Sequence, residues 1–319
     1  MTEYERVKDT GDLIEVRRLK VQLEQARESL LEQLFVFRVP DAINPYHIAL
    51  LTAGLGQSET RIRQDMVVDI RQEIQGQLAV YREVIDSDGQ PILKAWVDDI
   101  TQSKELIYLA VSKDRINIKE RIKAGMIPIV MPCRRVQEQT WKVAMTNLKP
   151  LVIEGGRKRG ISATYIGNVY ELEYVKRTGF FNDIPDRPYL LWTKPTQGHG
   201  PDTVKKSFAD QQAYYTTLVR DYPHLYDKTD LIPTEYSALQ KIFTILVYER
   251  YQVLVGGKSE PVEIQPLDQE VCTRFLSMEE HLPGSFPHVY LNCWNMRFDF
   301  FHSDGEASGK HGFRPASRT

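Results

Sequence analysis

Cysteine is scarce in this chain: Cys133, Cys272 and Cys293 are the only three in 319 residues. An odd, sparse set without Cys-x-x-Cys spacing excludes a disulfide framework and fits free thiols in a reducing compartment. Long apolar runs are missing too. Stretches such as Met126–Met131 fall far short of the ~20 residues that span a bilayer. With a net charge of −2, there is no global electrostatic case for nucleic acid or an anionic membrane. The opening Met1-Thr-Glu-Tyr-Glu-Arg6 is polar and acidic, unlike a secretory signal. The expectation is a cytoplasmic protein, with surface display by another route left open.

Signatures of chemistry are also absent. The histidines (His47, His199, His224, His281, His288, His302 and His311) show no His-x-x-x-His or Glu-x-x-His pattern on a helix. Neither a structural metal nor a cofactor is therefore expected. Gly155-Gly-Arg-Lys-Arg-Gly160 lacks the Lys-Ser/Thr of a phosphate loop and reads as a charged hairpin tip, a local nucleic-acid contact being the lesser alternative. No Gly-x-Ser-x-Gly or dinucleotide fingerprint occurs. Asp227, Asp230, Glu235, Asp268, Glu279 and Glu280 follow no acid/base spacing; carboxylates beside Pro and Thr usually serve caps and turns. An enzyme is not expected.

What is present is a globular composition, 42% hydrophobic and 26% charged, long enough for two domains. Residues 12–38 read as a helix, with Val16, Leu23, Leu30 and Phe37 seven apart and Leu19 and Ala26 between them. That is a short coiled coil or an amphipathic helix packed on its own chain. A second helix is expected from near Ser58 through Leu78 and a third over 91–107, making residues 1–124 an all-α helical extension. From Met126 the pattern changes to short strands at 126–132, 151–154, 170–175 and 189–193. Helices are expected at 137–148, 203–222 and 233–247, with Thr234 as a cap, and 266–277 reads as a short helix or turn. The order is α+β.

The tail, from Pro287-His-Val-Tyr-Leu-Asn-Cys-Trp-Asn-Met-Arg-Phe298 to Gly312-Phe-Arg-Pro-Ala316, is rich in aromatic and small polar residues. Frayed termini are poor in aromatics, whereas this mixture suits a recognition surface. With Thr229-Asp-Leu-Ile-Pro-Thr-Glu-Tyr236, Pro266-Leu-Asp-Gln269 and Thr273-Arg-Phe-Leu276 upstream, it resembles the variable proteins of diversity-generating retroelements. The resemblance covers roughly residues 125–319 and rests on order and spacing. It implies a C-type-lectin-like ligand-binding domain over 125–319, a fold shared with formylglycine-generating enzymes, with a variable segment at 287–319. In such a fold the two ends of the domain pair with each other as strands, and the resemblance implies Gly312–Ala316 as the closing strand.

The function implied is display of a hypervariable patch that recognises a macromolecule, most naturally a protein. His288, Tyr290, Asn292, Cys293, Asn295, Asp299, Phe301, His302, Ser303 and Asp304 are expected on one exposed surface. Pro287, Val289, Trp294, Phe298, Gly312, Phe313 and Arg314 are expected as framework, Arg314 paired with a carboxylate. The N-terminal helices leave homo-oligomerisation open. Two alternatives stand beside this reading: an enzyme on the same fold using Cys293 or Cys272 as a reactive thiol, and a structural or adaptor protein.

Overall fold

The computed structural model describes residues 13–37, 68–85, 88–148, 151–154, 157–160, 162–166, 173, 176, 181–195, 203–254, 267–268, 272–277, 284–292, 297–306 and 310–319. Among these residues the chain is α+β, with eight helices and several small sheets.

The heptad segment is helical as α1 (Leu13–Phe35) and runs into β1 (Val36–Phe37), which pairs antiparallel with β2 (Val68–Asp69). Its last turn docks on the core through Leu31, Leu34 and Phe35, while Leu23 and Leu30 stay exposed. Arg115 pins this end. Its guanidinium donates to the carbonyls of Leu34 and Val36 and lies 4.4 Å above the Phe37 ring.

The second helix, α2, spans Ile70–Arg82, with the Asp69 carboxylate accepting from the Arg71 amide as its cap; the expected beginning near Ser58 lies outside the described residues. The expected helix over 91–107 is two, α3 (Lys94–Gln102) and α4 (Lys104–Lys113), broken at Ser103, and α5 (Arg115–Lys123) follows.

A three-stranded antiparallel sheet holds β3 (Ile127–Met131), β7 (Tyr189–Thr193) and β12 (Ser317–Arg318), with β7 in the middle. The two ends of the 125–319 region thus meet in one sheet, but each pairs with β7 and not with the other, a correction to the expected pairing; the closing strand is Ser317–Arg318, whereas residues 311–313 belong to the other sheet. Among the described residues the outer edge of β3 has no neighbouring strand in this sheet, so its backbone groups need other partners. Gln77 on α2 supplies them as a strand would: its Nε2 donates to the Pro128 carbonyl at 2.8 Å and its Oε1 accepts from the Val130 amide at 2.7 Å. The Tyr81 hydroxyl donates to the Val130 carbonyl at 2.9 Å.

The chain continues through α6 (Arg134–Asn147) into a hairpin of β4 (Leu151–Glu154) and β5 (Arg157–Gly160). Its register pairs Glu154 with Arg157. The basic run Arg157–Arg159 therefore lies in the strand β5, a correction to the expected charged tip. The strand expected at 170–175 falls largely outside the described residues, and its one described position, Glu173, is helical. After β6 (Ser162–Ile166) come α7 (Phe208–Asp221) and α8 (Pro233–Leu254).

A second sheet has the order β11-β8-β9-β10-β6, with β8 (Cys272–Arg274), β9 (Ser285–Asn292), β10 (Arg297–Asp304) and β11 (His311–Phe313). The segment expected as a helix or turn at 266–277 therefore contributes a strand. At three residues it is too short for a helix to repay its nucleation cost. One face of the sheet, with Val289 and Phe275, joins the main core against Tyr236 of α8; the other, with Phe313 and Phe286, packs on Phe208 and Tyr215 of α7.

One continuous cluster of buried side chains runs from Phe35 through Trp96, Trp141, Trp192 and Phe243 to Ala316, so the N-terminal helices share their core with the region that follows. Gln77 is the polar bolt in this contact. Gln77→Leu keeps the volume but strips two buried backbone groups of β3 of their partners. The expected loss is about 2–4 kcal/mol, read as a lower urea midpoint at unchanged slope; a change within experimental error would show that β3 does not depend on this amide.

Candidate functional site

The tail is built from its buried ends inward. Arg314, directly after β11, is 3% exposed, and its guanidinium grips both carboxylate oxygens of Asp268, Nε at 2.9 Å. Asp268 also accepts from the Tyr236 hydroxyl at 2.9 Å and the Thr273 hydroxyl at 2.7 Å. Its backbone adopts the left-handed conformation at φ 61°, which Asp tolerates better than most residues. Arg314 Nη1 reaches across to the Lys194 carbonyl at 2.8 Å. Framework status for Phe313 and Arg314, with a carboxylate partner for Arg314, is what the structure contains.

A second ion pair holds the last strand. Arg318 donates through Nε and Nη2 to the two oxygens of Glu235, each at 2.7 Å, and to the carbonyls of Thr229 and Asp230 at 2.9 Å. Glu235 is fully buried and is the third residue of α8; it reaches back to the Ile232 amide at 3.0 Å as the far half of a capping box. Thr234, the expected cap, instead donates to Gln137 at 2.8 Å. The Tyr189 hydroxyl donates to Glu235 at 2.6 Å. Close by, Asp230 accepts from the amides of Leu276 and Ser277, and burial still pushes its carboxyl up to about 6. A cleft of about 390 Å³ opens beside this pair, lined by Asp183, Asp227, Thr229 and Arg318. The guanidinium in it is already committed to Glu235, so the cleft is not a ready anion site.

Before both clamped arginines in the chain comes the hairpin β9–β10. Its register pairs His288 with Phe301, Tyr290 with Asp299 and Asn292 with Arg297. Paired positions share a face and alternate along each strand. Positions 288, 290, 292, 299, 301 and 303 therefore fall on one face, and 302 and 304 on the other. Asp304 is exposed, whereas His288 is 1% exposed, a correction to its expected exposure. Cys293 and Asn295, and with them Trp294, lie outside the described residues. The side chains of Tyr290, Asn292, Asp299, Phe301, His302 and Ser303, and of Phe298, are likewise outside them. Pro287, Val289 and Gly312 are buried, as framework requires.

His288 is buried because its neighbours on that face close over it. Arg274, its cross-strand partner, is fully buried and donates to the carbonyls of Asp304 and Glu306 and to His311 Nδ1 at 3.0 Å. Gln211 of α7 accepts from Arg274 and donates to the His311 carbonyl on the edge strand β11. The rings of His288 and His311 are 5.2 Å apart. Cys272, directly opposite His311, completes a cluster in which one ligand-capable atom from each of the three residues lies within 4.8 Å of the others. Burial pushes the Cys272 thiol up to about 12, so it is protonated at neutral pH, the opposite of an activated nucleophile. Burial and the adjacent Arg274 lower His311 to about 4.

The three residues have no local spacing in sequence, which is why the histidine pattern gave no sign of them. The pairing of β8 with β9 and β11 brings them together. Comparisons with protein-family models, curated proteins and solved structures find no match for the chain.

Two outcomes follow from this geometry. Asp268→Ala leaves a guanidinium buried without its counter-charge, and the loss of unfolding free energy is expected at roughly 3–5 kcal/mol; retention of wild-type stability would mean that Arg314 finds solvent. For His311, the folded value lies below the ordinary one. Its contribution to stability is present above pH 6.5 and is lost as pH falls toward 4. Its ring resonances are expected to stay in the neutral position until pH drops below 5, and a midpoint near 6.5 would contradict the buried, Arg274-facing arrangement.

Proposed function

We propose that this protein is a ligand-binding protein whose region 125–319 is a C-type-lectin-like domain displaying a diversified patch from the tail, directed at a macromolecule, most naturally a protein. One observation carries the reading. The tail has two parts: residues 312–314 and 316–317 are buried and held by Asp268 and Glu235, and the β9–β10 hairpin that precedes them carries aromatic, Asn, Asp, Ser and His residues. Such a division is what a scaffold needs if side chains are to change without loss of the fold, because errors in buried volume or hydrogen bonding cost kilocalories while exposed changes stay within about 0.5 kcal/mol. The resemblance of the tail motifs to retroelement-diversified proteins supplies the chemistry. The meeting of β3 and β12 on β7 agrees with a domain whose two ends are brought together.

No helix among the described residues is long and apolar enough to cross a membrane. Self-association through α1 belongs to the same proposal. Several copies of a weakly binding face gain avidity through effective concentration.

Saturation mutagenesis of the full chain tests the reading. Substitutions at Tyr290, Asn292, Cys293, Asn295, Asp299, Phe301, His302, Ser303 and Asp304 are expected to leave soluble yield and melting temperature nearly unchanged, while those at Val289, Phe313 and Arg314 abolish the fold. A library varied at the first set should yield binders to a chosen protein. Collapse of the fold on substitution at most of the first set would end the proposal, as would flanking DNA without a reverse transcriptase and an adenine-biased near-copy of the tail.

A further inference from the structure

We infer that Cys272, His288 and His311 form a binding site for a thiophilic divalent cation of the zinc class. The inference does not rest on the displayed-patch reading. The three ligand atoms lie within 4.8 Å of one another; a tetrahedral site with bonds of about 2.0–2.3 Å places its ligands roughly 3.4–3.6 Å apart. The remaining closure is on the order of 1 Å at the widest pair. The backbone is already arranged for it. His311 stands directly opposite Cys272 across the parallel β11–β8 pair, and His288 is diagonal to Cys272 across β8–β9, opposite Arg274. Three adjacent strands of one sheet thus deliver one ligand each, on a scaffold more rigid than a loop.

The donor set decides the class of ion. One thiolate and two imidazoles suit zinc, cobalt or copper and disfavour magnesium and calcium, which take oxygen ligands. Three protein ligands leave a fourth position, and the half-buried His311 marks the side from which an ion enters. Ligation takes neutral imidazole and thiolate; as the sulfur–metal bond forms, the Cys272 proton leaves to solvent.

Charged groups around the site set its strength. Arg274 opposes a dication, and Lys310 adds a weaker positive charge near Cys272. Asp268 and Asp304 act in the opposite sense. Arg274 also donates to His311 Nδ1, and a guanidinium cannot accept the proton that Nδ1 carries when Nε2 ligates. Occupancy therefore breaks the Arg274–His311 hydrogen bond. Arg274 retains the carbonyls of Asp304 and Glu306 and the Gln211 side chain.

The test uses the full-length protein freed of metal by chelation and titrated with cobalt(II). The expected result is one ion per chain, four-coordinate visible bands, a sulfur-to-cobalt charge-transfer absorption and displacement of cobalt by zinc. Cys272→Ser should lose the charge-transfer absorption, and His288→Gln and His311→Gln should weaken binding by about tenfold or more. Cys133→Ser should leave all of it intact. Absence of a charge-transfer absorption in the unaltered protein under excess cobalt overturns the site, and so does an absorption that survives Cys272→Ser. If Cys272→Ser or His288→Gln does not fold, the half-buried His311→Gln decides: unchanged cobalt affinity in that variant refutes the site, and weakened affinity with an unchanged circular dichroism spectrum supports it.

Discussion

The Asp268 carboxylate stands where separate parts of the chain meet, and the fold of the C-terminal half depends on it. Tyr236 approaches from α8, Thr273 from β8 and Arg314 from the segment after β11; Arg314 in turn reaches the Lys194 carbonyl beyond β7. Burying two charges costs several kcal/mol each, and mutual attraction offsets that only when the remaining hydrogen-bonding capacity is also met. Here it is. The carboxylate takes donors from three residues, and Gln240 then ties the Tyr236 hydroxyl to the Leu267 backbone through its own amide. A network satisfied to this degree specifies one arrangement of its members, because any slip leaves a buried charge without a partner.

The Arg318–Glu235 pair does for the last strand what Asp268 does for the segment before it. Glu235 serves three roles at once: capping α8, accepting from Tyr189 of the central strand and neutralising Arg318. The ladder continues to Thr319, whose amide and carbonyl both pair with Leu190, while Arg121 of α5 donates to its hydroxyl at 2.6 Å. Helices from the N-terminal half thus bear directly on the closing strand. Together with the Gln77 contact to β3, this makes the helical region part of the same core and not an appended module.

The β9–β10 hairpin is held by backbone pairing on both sides, β8 to one flank and β6 to the other. Pairing on both flanks and the buried residues of one face together fix the register of such a hairpin. Phe286 stacks on Phe208 at 3.8 Å between ring centroids, and a Cβ on Gly305 would approach the Phe286 ring to 2.4 Å, so glycine is required there. His288 sits next to this packed corner, among Arg274, His311 and Cys272, and belongs to the frame.

Much of the secondary structure was legible along the chain. The apolar spacing of Ile70, Ile74 and Leu78, the alternation-free apolar strand Tyr189–Thr193 and the proline-bounded Met126–Pro132 segment announce their elements through local periodicity. Phe313 and Arg314 were legible as framework because an aromatic and an arginine in a glycine- and proline-bounded strand have little use on a frayed end. The strand β8 was not legible. Three residues carry too little periodicity to separate strand from turn, and only pairing with β9 and β11 decides them. Asp268 and Glu235 looked like ordinary turn and cap carboxylates, since nothing nearby in sequence shows that Arg314 and Arg318 will be folded against them. The Cys272–His288–His311 cluster has the same origin. Local sequence determines which segments are helical or extended, because those preferences act over a few residues. Which charges become paired in the interior, and which ligand-bearing side chains share one sheet face, is decided by strand order, and strand order exists only once distant segments have packed.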